Sequence, residues 1–198
     1  MNTGPDNGAV FYLERQLKRP LLPAVCMIHG NELPIKHLII SLDGNTLGPD
    51  TWEGPIGKNI GLWSKKPELY VNIPFAKFKK IEGNVPEFIN PDLLKNRDIR
   101  LLHKFCIGIQ KGYCDPELSK YIIGKFTLAR WWTQACYICC IYVHTDEENL
   151  STNLEIFATF IVKAYAPQIF DIRTLTDLTN GSYLFHKGIG ELPKLNLH

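Results

Sequence analysis

Ile99, Leu102, Phe105 and Ile109 recur at three- and four-residue intervals and stop at Gly112. Only a helix gathers that spacing into a single apolar face. Thr127 to His144 predicts another helix, with Thr127 as its N-cap. Leu154, Phe157, Ile161 and Tyr165 predict one more, stopped by Pro167. Asp115-Pro116 opens a short helix between them, the aspartate capping and the proline in the first turn. Residues 91–198 therefore read as a helical domain whose apolar stripes bury against one another, with a frayed tail after Asn180-Gly181.

The first part of the chain is mixed. Val10, Leu13 and Leu17 face away from Glu14, Arg15 and Lys18 in a short amphipathic helix over 8–18, halted by Arg19-Pro20. Pro23 to Ile28 is a brief apolar run that predicts a buried strand. Pro34 then opens a helix through Leu42, which Asp43-Gly44 ends. Five glycines and two prolines between Gly44 and Gly61 predict an irregular connection. Tyr70 to Phe78 reads as a weak strand broken at Pro74. The fold class is α+β, mostly helical, divided as 1–62, a divergent linker at 63–90, and 91–198.

Charge excludes little. Lys and Arg number 22 against 20 Asp and Glu, a net charge of +2 that does not by itself announce a nucleic-acid or membrane surface. The longest apolar run, Ala135 to Val143, is far short of the ~20 residues that span a bilayer, so no membrane partner is expected. No basic-then-apolar leader follows Met1, and six cysteines in such a chain read as reduced thiols. The expected location is nuclear or cytoplasmic, not secreted.

Four groups of residues carry candidate chemistry. Gly54-Pro55-Ile56-Gly57-Lys58 suggests a phosphate-binding loop, but Trp52 and Asn59 stand where glycine and Ser or Thr are required. Cys136, Cys140 and His144 share one helical face, and Cys26 with His29 adds a second pair at metal-ligand spacing. Thiolate and imidazole suit zinc, whereas buried cysteine equally serves as a small hydrophobe. His29 stands at the start of a helix, as a proton shuttle, a base-stacking group or a structural histidine. Arg130-Trp131-Trp132 joins a guanidinium that can grip phosphate to rings that stack on a base or fill a core.

The order of motifs adds a resemblance. Asn2-Thr3-Gly4 is followed by Leu13-Glu14, Arg19-Pro20-Leu21 and Cys26-x-x-His29-x-Asn31-Glu32-Leu33-Pro34. His37-Leu38, Leu42-Asp43-Gly44, Gly48-Pro49 and Gly54-Pro55-Ile56-Gly57-Lys58 come next. Ala129-Arg130-Trp131 and Val162-Lys163-Ala164-Tyr165-Ala166-Pro167 continue the series. In this order they resemble transposon-derived proteins related to the hAT-type DNA transposases.

The resemblance implies an RNase H-like core interrupted by a helical insertion, with three carboxylates holding divalent metals for phosphoryl transfer. It implies that His29, Arg130 and Trp131 handle a flipped base beside the cleaved bond. It also implies that two of the acids, with the first strands, precede the Asn-Thr-Gly block, and that the third follows the insertion. This chain begins at Met1 and has no convincing third acid. The expectation is thus a non-catalytic fragment that binds DNA, with a partial RNase H-like remnant over 1–62 and self-association at the incomplete sheet. Two alternatives stand beside it: a zinc-stabilised or helical protein-interaction module, and an unrelated hydrolase using His29 and Asp43.

Overall fold

The computed structural model describes residues 9–19, 27–46, 52–125 and 131–174. The helix expected from Ile99 onward is there as α4 (Arg97–Lys111), and its start and stop follow from two side chains. The Asn96 Oδ1 accepts from the Asp98 and Ile99 amides at 2.8 and 3.2 Å. At the other end Gly112 adopts φ +81° and donates to the Gly108 and Ile109 carbonyls, the left-handed cap that glycine takes without strain. Ile99, Leu102, Phe105 and Ile109 are all buried, as their spacing requires.

Beneath α4 lies α5 (Trp131–Val143), in which every residue is buried. A helix that is apolar all round belongs in the middle of a fold, and α5 packs chiefly on α4. Thr127, expected as its cap, lies outside the described residues. Ser151 caps α6 (Thr152–Phe160), accepting from the Leu154 amide at 3.3 Å. The helix does not stop at Pro167. A π turn, Ile161–Tyr165, leads straight into α7 (Ala166–Thr174). The wider turn shifts the hydrogen-bond ladder just before a residue that has no N–H to place in it, so the proline is carried in the first turn of α7.

Two more expectations are corrected in the N-terminal half. Helix α1 (Ala9–Leu17) forms, but Leu13 and Leu17 stay exposed. Helix α2 (Met27–Asp43) starts seven residues before Pro34 and carries that proline inside it. Met27 and Ile28 are therefore helical, while residues 20–26, including the rest of the expected strand, lie outside the described residues. Among the described residues no strand is present, and the one β-bridge pairs Thr46 with Trp52. The α/β remnant expected over 1–62 is not formed by those of its residues that are described; the mostly helical class is.

The glycine-rich stretch is not an irregular connection throughout, because α3 (Pro55–Lys65) begins inside it. Its cap comes from α2. Asp43 is buried, and its two carboxylate oxygens accept from the Ile56 and Gly57 amides at 3.0 and 2.8 Å. That contact needs bare backbone. A Cβ on Gly54 would stand 1.6 Å from the Asp43 carbonyl oxygen, and one on Gly57 would stand 2.4 Å from the Trp52 ring.

From Tyr70, after a turn at 70–72, the chain runs as an extended strap over 73–90 rather than as a strand, up to the short helical turn Pro91–Leu93. The Ala76 amide donates to Val143 O at 2.9 Å, the Ile81 amide donates to Ile109 O at 3.2 Å, and the Tyr142 hydroxyl donates to Lys79 O at 2.8 Å. The Gln110 side-chain amide exchanges bonds with both backbone groups of Val85. The strap thus ties the C-terminal ends of α4 and α5 together and buries Tyr70, Phe78, Ile81, Val85 and Ile89. One apolar core extends from Ile35 on α2 to Phe170 on α7, with no break at residue 62 or 91. Among the described residues no helix is long and apolar enough to cross a membrane.

Candidate nucleic-acid interface

Arg97, Arg100, Lys104 and Lys111 lie three, seven and fourteen residues along α4, which at 3.6 residues per turn places them within roughly 60° of arc. All four are exposed. The only acid in the helix, Asp98, points the other way. It is buried, and it accepts from the Gly124 amide at 3.0 Å and the Thr133 hydroxyl at 2.8 Å. The outer face of α4 is therefore a stripe of positive charge with no carboxylate of its own.

Local contacts hold the stripe in place. Arg97 donates to the Ile122 carbonyl, and Arg100 donates to the Leu94 and Lys95 carbonyls at 2.8 and 3.1 Å. These bonds fix both guanidinium groups without neutralising them. The Lys104 ammonium sits 5.0 Å from the centre of the Tyr121 ring. Lys111 pairs with Glu87, and Lys120, on the neighbouring turn Pro116–Lys120, pairs with Glu117 at 2.6 Å. Both pairs are open to solvent and contribute little to stability.

Beside the stripe is a half-open cavity of about 560 Å³ lined by Lys104, Ile107, Lys111, Tyr113 and the carboxylates of Glu87 and Glu117. Tyr113 is 65% exposed, yet its backbone is fixed: its amide donates to the Gly108 carbonyl at 3.1 Å, straight after the left-handed Gly112. Gly108 lets the next residue close on the helix, since a Cβ there would stand 2.3 Å from Cys114 Sγ. Burial pushes the Cys114 thiol up to about 12, so it remains protonated.

His103 also faces this cavity, with its Nε2 2.7 Å from the Pro86 carbonyl and its ring edge-on to Phe170. Burial lowers its pKa, and does the same for His144. The folded chain thus keeps both rings neutral where the unfolded chain binds protons, from about pH 6.5 downward. Stability is fully present above that pH and is lost as pH falls through it. The melting temperature is expected to drop between pH 7.5 and pH 5.5, read by circular dichroism; a flat or rising profile would contradict these assignments.

The residues expected from sequence are placed differently. Trp131 and Trp132 are 6% and 8% exposed and belong to the core, so neither ring offers a face to a base in this conformation. The Arg173 guanidinium lies over the Trp132 ring at 5.5 Å. Arg130 and Cys26 lie outside the described residues, as does the side chain of His29, whose backbone is in the first turn of α2.

Cys140 and His144 do meet, with Sγ 3.7 Å from Nδ1, but that nitrogen is 2.8 Å from the Cys140 carbonyl. The imidazole is otherwise enclosed by the Trp63 and Phe75 rings. Burial pushes the Cys136 and Cys140 thiols well up, with Asp98 adding to the effect on Cys136. In this arrangement Cys136 and Cys140 are buried among the apolar side chains of the core, where cysteine packs as a small hydrophobe. Among the described residues no three His, Cys, Asp or Glu side chains converge to hold a metal ion.

The carboxylates are committed elsewhere too. Asp43 is buried and each of its oxygens accepts from one amide, the cap of α3, while the side chain of His29, its expected hydrolytic partner, lies outside the described residues. The same aspartate occupies the helix N-terminus that a phosphate would need at Gly54 to Lys58. The basic stripe was the feature that sequence reasoning missed. The spacing of Arg97, Arg100, Lys104 and Lys111 was its visible signal. No protein-family model, no curated protein and no solved structure matches this chain.

Proposed function

We propose that this chain is a non-catalytic, transposase-derived protein that binds DNA along the outer face of α4. The observation that carries the proposal is the four-cation stripe with its one acid turned inward. Clustered Lys and Arg along one helix face are the electrostatic footprint of a phosphate backbone partner. The transposase ancestry rests on the order of motifs from Asn2 to Lys58. The five described cysteines are free thiols, in keeping with a reducing compartment, nuclear or cytoplasmic.

A forked DNA hairpin titrated at 50 mM salt tests this reading. The wild-type chain is expected to bind, and the double variant Lys104→Gln/Lys111→Gln to bind at least about tenfold more weakly. The hairpin should stay uncut in Mg²⁺ or Mn²⁺. Equal affinity of the two proteins would remove the stripe from the account, and cleavage would remove the non-catalytic part.

A second reading, a helical protein-interaction module, draws on α2, where Leu33 and Ile40 are exposed seven residues apart on one face. Sedimentation of the wild type against Leu33→Ser/Ile40→Ser tests it. Association that the double variant abolishes favours the module; two monomers reject it.

A further inference from the structure

We infer that the cavity beside α4 takes one unstacked base of a single-stranded nucleic acid. The inference rests on the proposed stripe and goes further, to the form of nucleic acid that the site prefers. At about 560 Å³ the cavity lies within the ~300–1,000 Å³ range of small-ligand sites. Its chemistry is divided. Lys104 and Lys111 stand seven residues apart, about 10 Å along the helix axis, and both contribute to the lining. Glu87, Asp115 and Glu117 also line the cavity, Glu87 paired with Lys111 and Glu117 with Lys120.

That division decides which part of a nucleotide enters. Asp115, beside the ion-paired Glu87 and Glu117, disfavours a further negative charge inside, so phosphate stays on the cationic stripe outside. A base bearing an exocyclic amino group finds acceptors inside, as cytosine N4 does with Glu or Asp elsewhere. Tyr113 supplies the stacking surface. Its ring is largely exposed, while its backbone is held by Gly108, so the platform is in position before the ligand arrives. A base paired inside a duplex cannot reach such a cavity without leaving its stack, at a cost that a single strand does not bear.

The test uses the full chain with a fluorescent 15-mer of oligo(dC) and a blunt 15-base-pair duplex, at pH 7.5. The single strand is expected to bind tighter than the duplex. Tyr113→Ala should weaken the single strand by about tenfold and leave the duplex unchanged, while Tyr113→Phe keeps the wild-type affinity. If Tyr113→Ala has no effect while Lys104→Gln/Lys111→Gln weakens both ligands, the base pocket is wrong and the stripe stands. If neither ligand binds at low salt, both fail. Because the tyrosine ring is exposed, unchanged melting of Tyr113→Ala should accompany any loss of binding.

Discussion

Asp43→Ala is expected to lower the unfolding free energy by about 3 kcal/mol, through the loss of a helix cap that no neighbour can replace. Two amides, Ile56 and Gly57, donate to this one carboxylate at 3.0 and 2.8 Å, and the group is buried. The loss combines a missing cap, worth ~1–2 kcal/mol, with donors left in a place that water reaches poorly. The negative charge also faces the positive end of the α3 dipole, which adds a few tenths to 1 kcal/mol. Gly54→Ala should be at least as damaging, because its Cβ would fall 1.6 Å from a backbone carbonyl oxygen that cannot swing aside. Gly61→Ala is the control. No atom lies within 4 Å of a Cβ at that position, and alanine inside a helix is favoured over glycine by roughly 0.5–1 kcal/mol. Urea midpoints of the three variants read this directly; an Asp43→Ala midpoint equal to wild type would remove the cap from the account.

Asp98→Ala is the second large effect, about 2–4 kcal/mol of stability. Its carboxylate joins three parts of the fold: the first turn of α4, the Gly124 amide and the Thr133 hydroxyl on α5. Removing it strands a backbone amide and a hydroxyl in the interior. Gly124 sits so close that a Cβ there would stand 2.4 Å from Asp98 Oδ2, so Gly124→Ala should loosen the same joint. Asp98→Asn keeps the shape and one acceptor oxygen, and is expected to lose less than half as much. A denaturant series that ranks alanine near asparagine would show that the carboxylate does not hold α4 to α5.

The helical half was legible because its signals are local. The stripe at Ile99 to Ile109, the Gly112 stop and the Asp115 cap each act within a few residues, and all three appear where expected. Helix α5 was harder, since a helix buried on all sides presents no face for periodicity to reveal. The apolar run ending at Ile28 looked like a strand because short apolar runs do not distinguish a strand from a buried helix. Pro34 and Pro167 misled for one reason: each normally marks a boundary, and here each is carried within helical backbone. Gly54 and Gly57 were read as loop residues, although they are small so that Asp43 and Trp52 can approach. Spacing alone showed nothing of those approaches, which join residues five and eleven apart.

The candidate site divides in the same way. Arg97, Arg100, Lys104 and Lys111 were visible as a spacing, but Asp98 beside them hid the pattern until its inward bonds were seen. Trp131 was an attractive stacking residue in sequence and is a core residue in the fold, whereas Tyr113 drew no notice and stands exposed at the cavity. Tryptophan in a short motif draws the eye. Exposure is a property of the packing.

The central claim is that the stripe on α4 binds the DNA backbone, and its most direct measurement is the salt dependence of binding. With the forked hairpin titrated between 50 and 200 mM salt, the logarithm of the association constant is expected to fall linearly against log salt. Four cations engaging duplex phosphate would give a slope near −3 to −4. A slope near zero, or no binding at 50 mM, would contradict the assignment of this face to nucleic acid.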